Sequence, residues 1–351
     1  MAPVVRALAA RDDLRVRVLA TAQHREMLDQ IHAFFGVRPD RDLDLMRPGQ
    51  TLADLTARMV AAFDPVLGEE APALVLAQGD TTTVMVAALC CFYRQVPFAH
   101  VEAGLRTGDL RQPFPEEMNR LLVSRLASLH FAPTQRAADN LRREGIAGDR
   151  VHVTGNTVVD ALLWAAQLVD AARFRPAAGQ RLVLVTAHRR EHFGAPLAAV
   201  CRALRRLADR PDVRLLYPVH PNPNVREVAQ RALGDHAHVR LVEPLDYPDM
   251  VAAMAACDLI LTDSGGVQEE APSLGKPVLV LRNTTERPEG IEAGAARLVG
   301  TDEARIVAEV ERLLDDAKAY SAMATVQNPY GDGRAALRIA ELCAGWLRQQ
   351  H

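Results

Sequence analysis

Short, continuous apolar runs recur along the chain, and each is followed by a longer stretch with apolar residues at helical spacing. The runs predict strands over 16–20, 73–78, 96–101, 129–132 and 151–154, then over 182–186, 213–218, 239–242, 259–262 and 277–281. Continuous rather than alternating apolar character is what strands covered on both faces show. The intervening periodicity predicts helices over 52–67, 115–127, 135–144, 197–207 and 225–233, with Thr51 and Thr134 as N-caps. Regular strand–helix alternation points to an α/β fold with parallel sheets and helices on both sides.

The two series of strands are separated by a helix containing Trp164 and a polar, breaker-rich connector over 172–179. The expected organisation is therefore two Rossmann-like domains, 1–170 and 171–330. A segment over 331–351 follows a turn signal at 328–333 and carries an amphipathic helix over 335–347 that packs back toward the N-terminal domain. Residues 4–10 read as the back half of a helix with no strand before it, so the first strand of the N-terminal domain is expected to be missing. Ligands of doubly wound sheets bind beyond the carboxyl ends of strands, and two such domains predict a shared cleft. Polar motifs directly after strands are the places to look for chemistry.

Composition narrows this only a little. The 351 residues are 49% hydrophobic and 24% charged with a formal net charge of −3, which excludes a strongly basic nucleic-acid-binding surface. No stretch approaches the roughly 20 apolar residues that span a bilayer, and Met1-Ala2-Pro3 leads straight into an amphipathic pattern, read as no signal peptide. The five cysteines are odd in number and lack metal-ligand spacing, so a reduced, cytoplasmic setting is expected, with Cys90-Cys91 as core. No metal and no cofactor is called.

Five motifs follow strands. Gln78-Gly79-Asp80-Thr81-Thr82-Thr83 offers a tight turn and a carboxylate, or simply a helix-capping cluster. The loop from His100 to Asp109 continues to Pro113-Phe114-Pro115-Glu116-Glu117-Met118-Asn119-Arg120. Helix-start chemistry accounts for Glu117 there, but not for Glu102 directly after a buried strand. Thr186-Ala187-His188-Arg189-Arg190-Glu191-His192 places cationic groups at a strand–helix junction suited to a diphosphate. Val219-His220-Pro221-Asn222-Pro223-Asn224 reads equally as a rigid proline turn or a ligand loop. Thr262-Asp263-Ser264-Gly265-Gly266 opens a helix whose backbone N–H groups a phosphate can approach. Glu270 lies about one turn on, where a carboxylate can hold ribose hydroxyls.

Together these strings resemble the UDP-N-acetylglucosamine 2-epimerase family. The resemblance rests on Gln-Gly-Asp-Thr-Thr-Thr, Val-Glu-Ala-Gly-Leu-Arg-Thr-Gly, Pro-Glu-Glu-Met-Asn-Arg, Thr-Ala-His-Arg-Arg-Glu and Thr-Asp-Ser-Gly-Gly-Val-Gln-Glu-Glu-Ala-Pro, with Thr-Thr-Glu-Arg-Pro-Glu and Asn-Pro-Tyr-Gly-Asp-Gly in support. It runs in order from Met1 to the last helix. It implies a glycosyltransferase-B-like fold and the interconversion of UDP-GlcNAc and UDP-ManNAc for bacterial surface polysaccharides. Its route is loss of UDP from C1 to give 2-acetamidoglucal, then re-addition. Carried over by position, Asp80, Glu102 and Glu116 are the implied catalytic carboxylates, and His188 is implied near the departing diphosphate. Arg106, Ser264, Gly265, Gly266, Glu270 and Arg287 are implied substrate ligands, with Met250 where members often place an aromatic residue near uracil.

Gln23, His24 and Arg25 resemble the segment that non-hydrolysing members use for a second, activating UDP-GlcNAc; an ordinary amphipathic helix start is the plainer reading of the same residues. A homodimer is implied as well. Open alternatives are a hydrolysing epimerase releasing ManNAc and UDP, a glycosyltransferase on the same fold, and an inactive nucleotide-sugar-binding homologue. Members of the family carry a first strand and a Gly-Thr-Arg-Pro-Glu-type loop before the methionine matching Met1. With the start seen here, the chain is expected to be unstable or poorly active, an expectation that cooperative unfolding together with full epimerase turnover would overturn.

Overall fold

A computed structural model describes residues 1–21, 25–47 and 49–350. The chain divides into two compact units, Met1–Ala161 with Gly333–His351, and Leu162–Asp332. Among the described residues every strand pairing is parallel.

In the first unit, β1 (Leu19–Ala20) pairs with β2 (Arg41–Asp42) in a small sheet of its own. The strand expected over 16–20 thus shrinks to two residues, because Arg15 and Arg17 point to solvent and Arg17 is drawn into ion pairs with Asp40 and Glu70. Arg41–Asp42 is exposed and charged, so nothing in its pattern signals a strand. The main sheet runs β3 (Val75–Gln78), β4 (Phe98–Val101), β5 (Leu129–Ala132) and β6 (Val151–Val153). Side chains alternate between its faces. Ala99, Val101, Leu129 and Phe131 pack against the Ala2–Ala9 and Ala335–Gln350 helices, whereas Phe98 packs with the Leu52–Glu70 and Thr82–Tyr93 helices.

The C-terminal helix is fixed at its start, where the Ala335 and Ala336 N–H groups donate to the buried Asp160 carboxylate at 3.2 and 2.8 Å. Thr51 and Thr134 both cap their helices, accepting from Asp54 N–H and Ala137 N–H. Such caps contribute about 1 kcal/mol each.

The second unit contains β7 (Arg181–Thr186), β8 (Val213–Pro218), β9 (Val239–Val242), β10 (Leu259–Thr262), β11 (Val278–Val280) and β12 (Ala296–Leu298). Their order is β12-β11-β10-β7-β8-β9, so the chain winds out through β8 and β9 and returns beside β7. The reversal between β7 and β10 is the point at which doubly wound sheets open a crevice for ligands. β12 escaped the sequence reading because its three residues include an exposed arginine.

The connector over 172–179 does not separate the units. The 171–174 turn packs on the Tyr247–Ala256 helix, Arg173 pairs with Asp249, and Phe174 lies against the guanidinium groups of Arg173 and Arg240. The boundary expected after residue 170 therefore moves back to 161, because this polar segment is anchored to the second unit. All five cysteines are buried and free. Among the described residues no helix is long and apolar enough to cross a membrane.

His100 and His130 sit opposite each other on β4 and β5 with no exposed surface. Burial pushes their imidazoles down to about 4 and about 3, so both are neutral in the fold. The unfolded chain takes up these protons near the ordinary histidine value while the folded chain does not, so stability falls as pH drops below about 6.5. For His100 alone the loss between pH 7 and pH 4 approaches about 3 kcal/mol. Replacing His130 by Leu is expected to move the acid-unfolding midpoint of this unit to lower pH, as followed by circular dichroism against pH; an unchanged midpoint would refute the assignment.

Candidate active site

At the carboxyl ends of β3 and β4 the first unit gathers its acids. Glu102 follows β4 with φ of 64°, a left-handed conformation that a non-glycine residue holds only when its surroundings enforce it. Its Oε2 accepts from Gln78 Nε2 at 3.2 Å, and Gln78 Oε1 in turn accepts from the Thr157 hydroxyl. The next turn needs a glycine at Gly104, where φ is 91° and a Cβ would lie 2.2 Å from the Ala137 carbonyl oxygen.

Asp80 is gripped by Arg120, whose Nη2 and Nε donate to Oδ2 at 2.6 and 3.0 Å. Asn119 Nδ2 donates to the Asp80 carbonyl at 2.8 Å, and His100 Nε2 lies 2.7 Å from the Gly79 carbonyl oxygen. Neutral His100 therefore carries its proton on Nε2 and fixes the Gly79–Asp80 peptide from below. Glu116 is half-buried and begins the Glu116–Leu126 helix, one turn before Arg120 and on the same face. Buried Glu117 accepts from the N–H groups of Thr107 and Gly108 and from Arg120 Nη1, so it shapes the loop.

In the second unit the crevice end of β7 and β10 is built around Asp263, which has no exposed surface. Its Oδ2 accepts from the backbone N–H groups of His188 and Arg189 at 2.8 and 2.9 Å. His188 Nδ1 lies 3.3 Å from Oδ1, and His192 Nδ1 lies 3.4 Å from Oδ2. The His188 ring also stacks on His220, with centroids 5.7 Å apart and planes 8° from parallel.

Ser264 begins the Gly265–Glu270 helix, and Gln268 is tied to the Ser264 carbonyl and to the Thr285 hydroxyl. Gly265 gives the Arg287 side chain room, since a Cβ there would come 3.2 Å from the guanidinium carbon and push it back slightly. Arg287 donates from Nε to buried Glu269 at 2.7 Å. Glu286 draws in Arg189, Arg282 and Arg287. Burial opposes its ionisation, but the backbone and Arg282 donors outweigh that and hold it at about 2. Burial, with the charge of Glu269, pushes Glu270 up to about 8.

The expected residues thus fall into two sets. Asp80, Glu102 and Glu116 sit together in the first unit; His188, Ser264, Gly265, Gly266, Glu270 and Arg287 sit together in the second, with Met250 in the first turn of the Tyr247–Ala256 helix. Arg106 is held by Glu144, Ser124 and the Leu105 carbonyl, with its side chain 10% exposed, so in this structure it anchors its loop. Gln23 and His24 lie outside the described residues, and for Arg25 only its place at the start of the Arg25–Phe35 helix is described. Sequence reasoning missed Arg120, Asp263 and Glu286. Arg120 was detectable from its four-residue spacing to Glu116, and Asp263 from its position directly after a buried strand.

Comparison with known proteins bears on what this arrangement does. The sequence model of UDP-N-acetylglucosamine 2-epimerase matches residues 6–344. The chain belongs to the UDP-N-acetylglucosamine 2-epimerase family. It is 51% identical to the UDP-N-acetylglucosamine 2-epimerase of Escherichia coli (strain K12), over 97% of this chain and 94% of that protein. The crystal structure of a putative UDP-N-acetylglucosamine 2-epimerase from Listeria monocytogenes superposes with a TM-score of 0.94 at 45% identity, covering 99% and 93% of the two chains. The Neisseria meningitidis UDP-GlcNAc 2-epimerase bound to UDP-GlcNAc gives a TM-score of 0.87 at 43% identity, over 98% and 96%. The fold is the glycosyltransferase-B-like class of this family, and its UDP-GlcNAc 2-epimerase activity is that of this chain.

Glu270 gives the stability of the second unit a pH dependence. Its folded value of about 8 lies above the unfolded one, so the folded chain holds a proton that the unfolded chain has released. Stability from this group is full below the ordinary glutamate range and is lost as pH rises through about 8. The side chain keeps some solvent contact, which moderates the effect. Glu270→Gln is expected to melt at least about 2 °C above the wild type at pH 9, with the gap closing at pH 5, by calorimetry at both values.

Proposed function

We propose that the chain interconverts UDP-GlcNAc and UDP-ManNAc without hydrolysis, by eliminating and re-adding UDP through 2-acetamidoglucal, for bacterial cell-surface polysaccharide synthesis. C2 of the sugar has no adjacent carbonyl, so its proton can leave only as the C1–O bond to UDP breaks. That chemistry needs carboxylates able to take and return a proton, and a separate cationic, N–H-rich site for the freed diphosphate. The observation that carries the reading is Glu102, held in a left-handed conformation beside Gln78 at the end of β4, with Asp80 clamped by Arg120 close by. A strained carboxylate in a polar cradle is costly to the fold and is the kind of feature that active sites retain.

In this scheme Asp80, Glu102 and Glu116 serve proton transfer, and His188, Ser264, Gly265, Gly266, Glu270 and Arg287 hold UDP, with Met250 beside the base. The ligand seen in the Neisseria meningitidis relative, UDP-GlcNAc, supports this choice of substrate. The likeness of Gln23, His24 and Arg25 to the activator segment supports a second bound UDP-GlcNAc and the non-hydrolysing outcome. A homodimer and a cytoplasmic location complete the proposal.

Incubation with UDP-GlcNAc in deuterated water tests it. UDP-ManNAc bearing deuterium at C2 is the expected product; free ManNAc with UDP indicates the hydrolysing reaction instead. Glu102→Gln and Asp80→Asn should each lower kcat by about 10²–10⁴-fold while calorimetric UDP affinity is retained. Full turnover in both variants would remove the carboxylates from the mechanism.

A further inference from the structure

Asp263 is the buried acid that the mechanism leaves unused. Building on the proposed role of His188 at the diphosphate, we propose that Asp263 is a positioning residue that fixes the tautomer and direction of the His188 imidazole. Asp263 Oδ1 is buried without a hydrogen bond, and the ring nitrogen nearest to it is His188 Nδ1 at 3.3 Å. A bare lone pair on Nδ1 would face the carboxylate's own lone pairs, so Nδ1 is the nitrogen that carries the proton. The other nitrogen, Nε2, lies on the opposite edge of a ring whose side chain is 43% exposed, against 0% for Asp263. His188 therefore turns Nε2 away from the core as the nitrogen that exchanges a proton.

The same carboxylate sets the backbone. Its Oδ2 holds the N–H groups of residues 188 and 189, and the Asp263 carbonyl accepts from Arg189 Nε at 2.8 Å. Asp263 N–H donates to the Thr186 carbonyl at 2.9 Å, so the carboxylate rises from the end of β10 directly beneath the turn that follows β7. The parallel stack with His220 limits the ring's swing. His192 Nδ1 approaches Oδ2 of the same carboxylate at 3.4 Å from the following turn, so the donors gather on Oδ2 and leave Oδ1 to the His188 ring.

The test starts with the wild-type protein. Nitrogen-15 spectra of histidine-labelled enzyme, with the His188 signals identified by their loss in His188→Gln, should show Nδ1 protonated, alone or together with Nε2. An Nε2–H tautomer overturns the proposal, and this readout needs no altered Asp263. Asp263→Asn should then lower kcat about 100-fold with KM within about threefold, and its His188 should lose the Nδ1–H signature. The double variant should turn over no more slowly than His188→Gln alone, because Asp263 acts through that ring. An additional loss in the double variant marks a general structural role and overturns the proposal, as does an unchanged kcat in Asp263→Asn. Full turnover in His188→Gln sinks the His188 reading itself; loss there with Asp263→Asn unaffected sinks only the positioning role.

Discussion

The parallel, in-register pairing of β7 and β10 is the constraint on which the second unit's site depends. Thr186 stands opposite Thr262, their hydroxyls 2.6 Å apart, so both strands end at the same level. The residues that follow, Ala187-His188-Arg189 on one side and Asp263-Ser264-Gly265 on the other, leave the sheet together. Only this alignment lets one side chain of Asp263 reach two backbone N–H groups of the neighbouring turn. Burial alone would raise the proton affinity of that carboxylate; the His192 contact and the N–H donors reverse this and hold Asp263 below the ordinary range. Removing the donors would leave a buried charge without compensation, an expensive state.

The first unit solves a similar problem with different means. Its acids gather around two adjacent strand ends, where like charges repel, and donors offset them: Arg120 shared by Asp80 and Glu117, loop N–H groups for Glu117 as well, and the Gln78 amide for Glu102. His100, neutral because it is buried, supplies a donor to the Gly79 peptide without adding charge beneath the cluster.

Much of this was legible in the chain. Parallel strands buried on both faces leave continuous apolar runs, and the runs at 129–132, 213–218, 239–242 and 259–262 match the observed strands residue for residue. The motifs after them were legible for the same reason, since a polar string directly behind a buried strand has few purely structural explanations. What the pattern could not carry were features set by distant partners. Arg106 is held by Glu144, 38 residues away, a partner that no local pattern announces. The 172–179 connector looks like a linker until Asp249 and Arg240 are found against it. β2 and β12 are short, exposed or mixed in character, and exist through pairing alone.

The same dependence on partners explains why the cationic side of the second unit is not simply a basic patch. Glu286 engages Arg282 and Arg287 from its own loop and Arg189 from the turn after β7. Left free, long arginine side chains would each give up rotamer entropy on meeting a phosphate, a cost of about 0.5–1.5 kcal/mol apiece. Gathered on one carboxylate, they have already lost that freedom during folding, and Gly265 leaves room for Arg287 to lie flat over the helix start. The acid that seems to cancel the positive charge instead presets its direction, so these guanidiniums need little reorganisation to meet an anion.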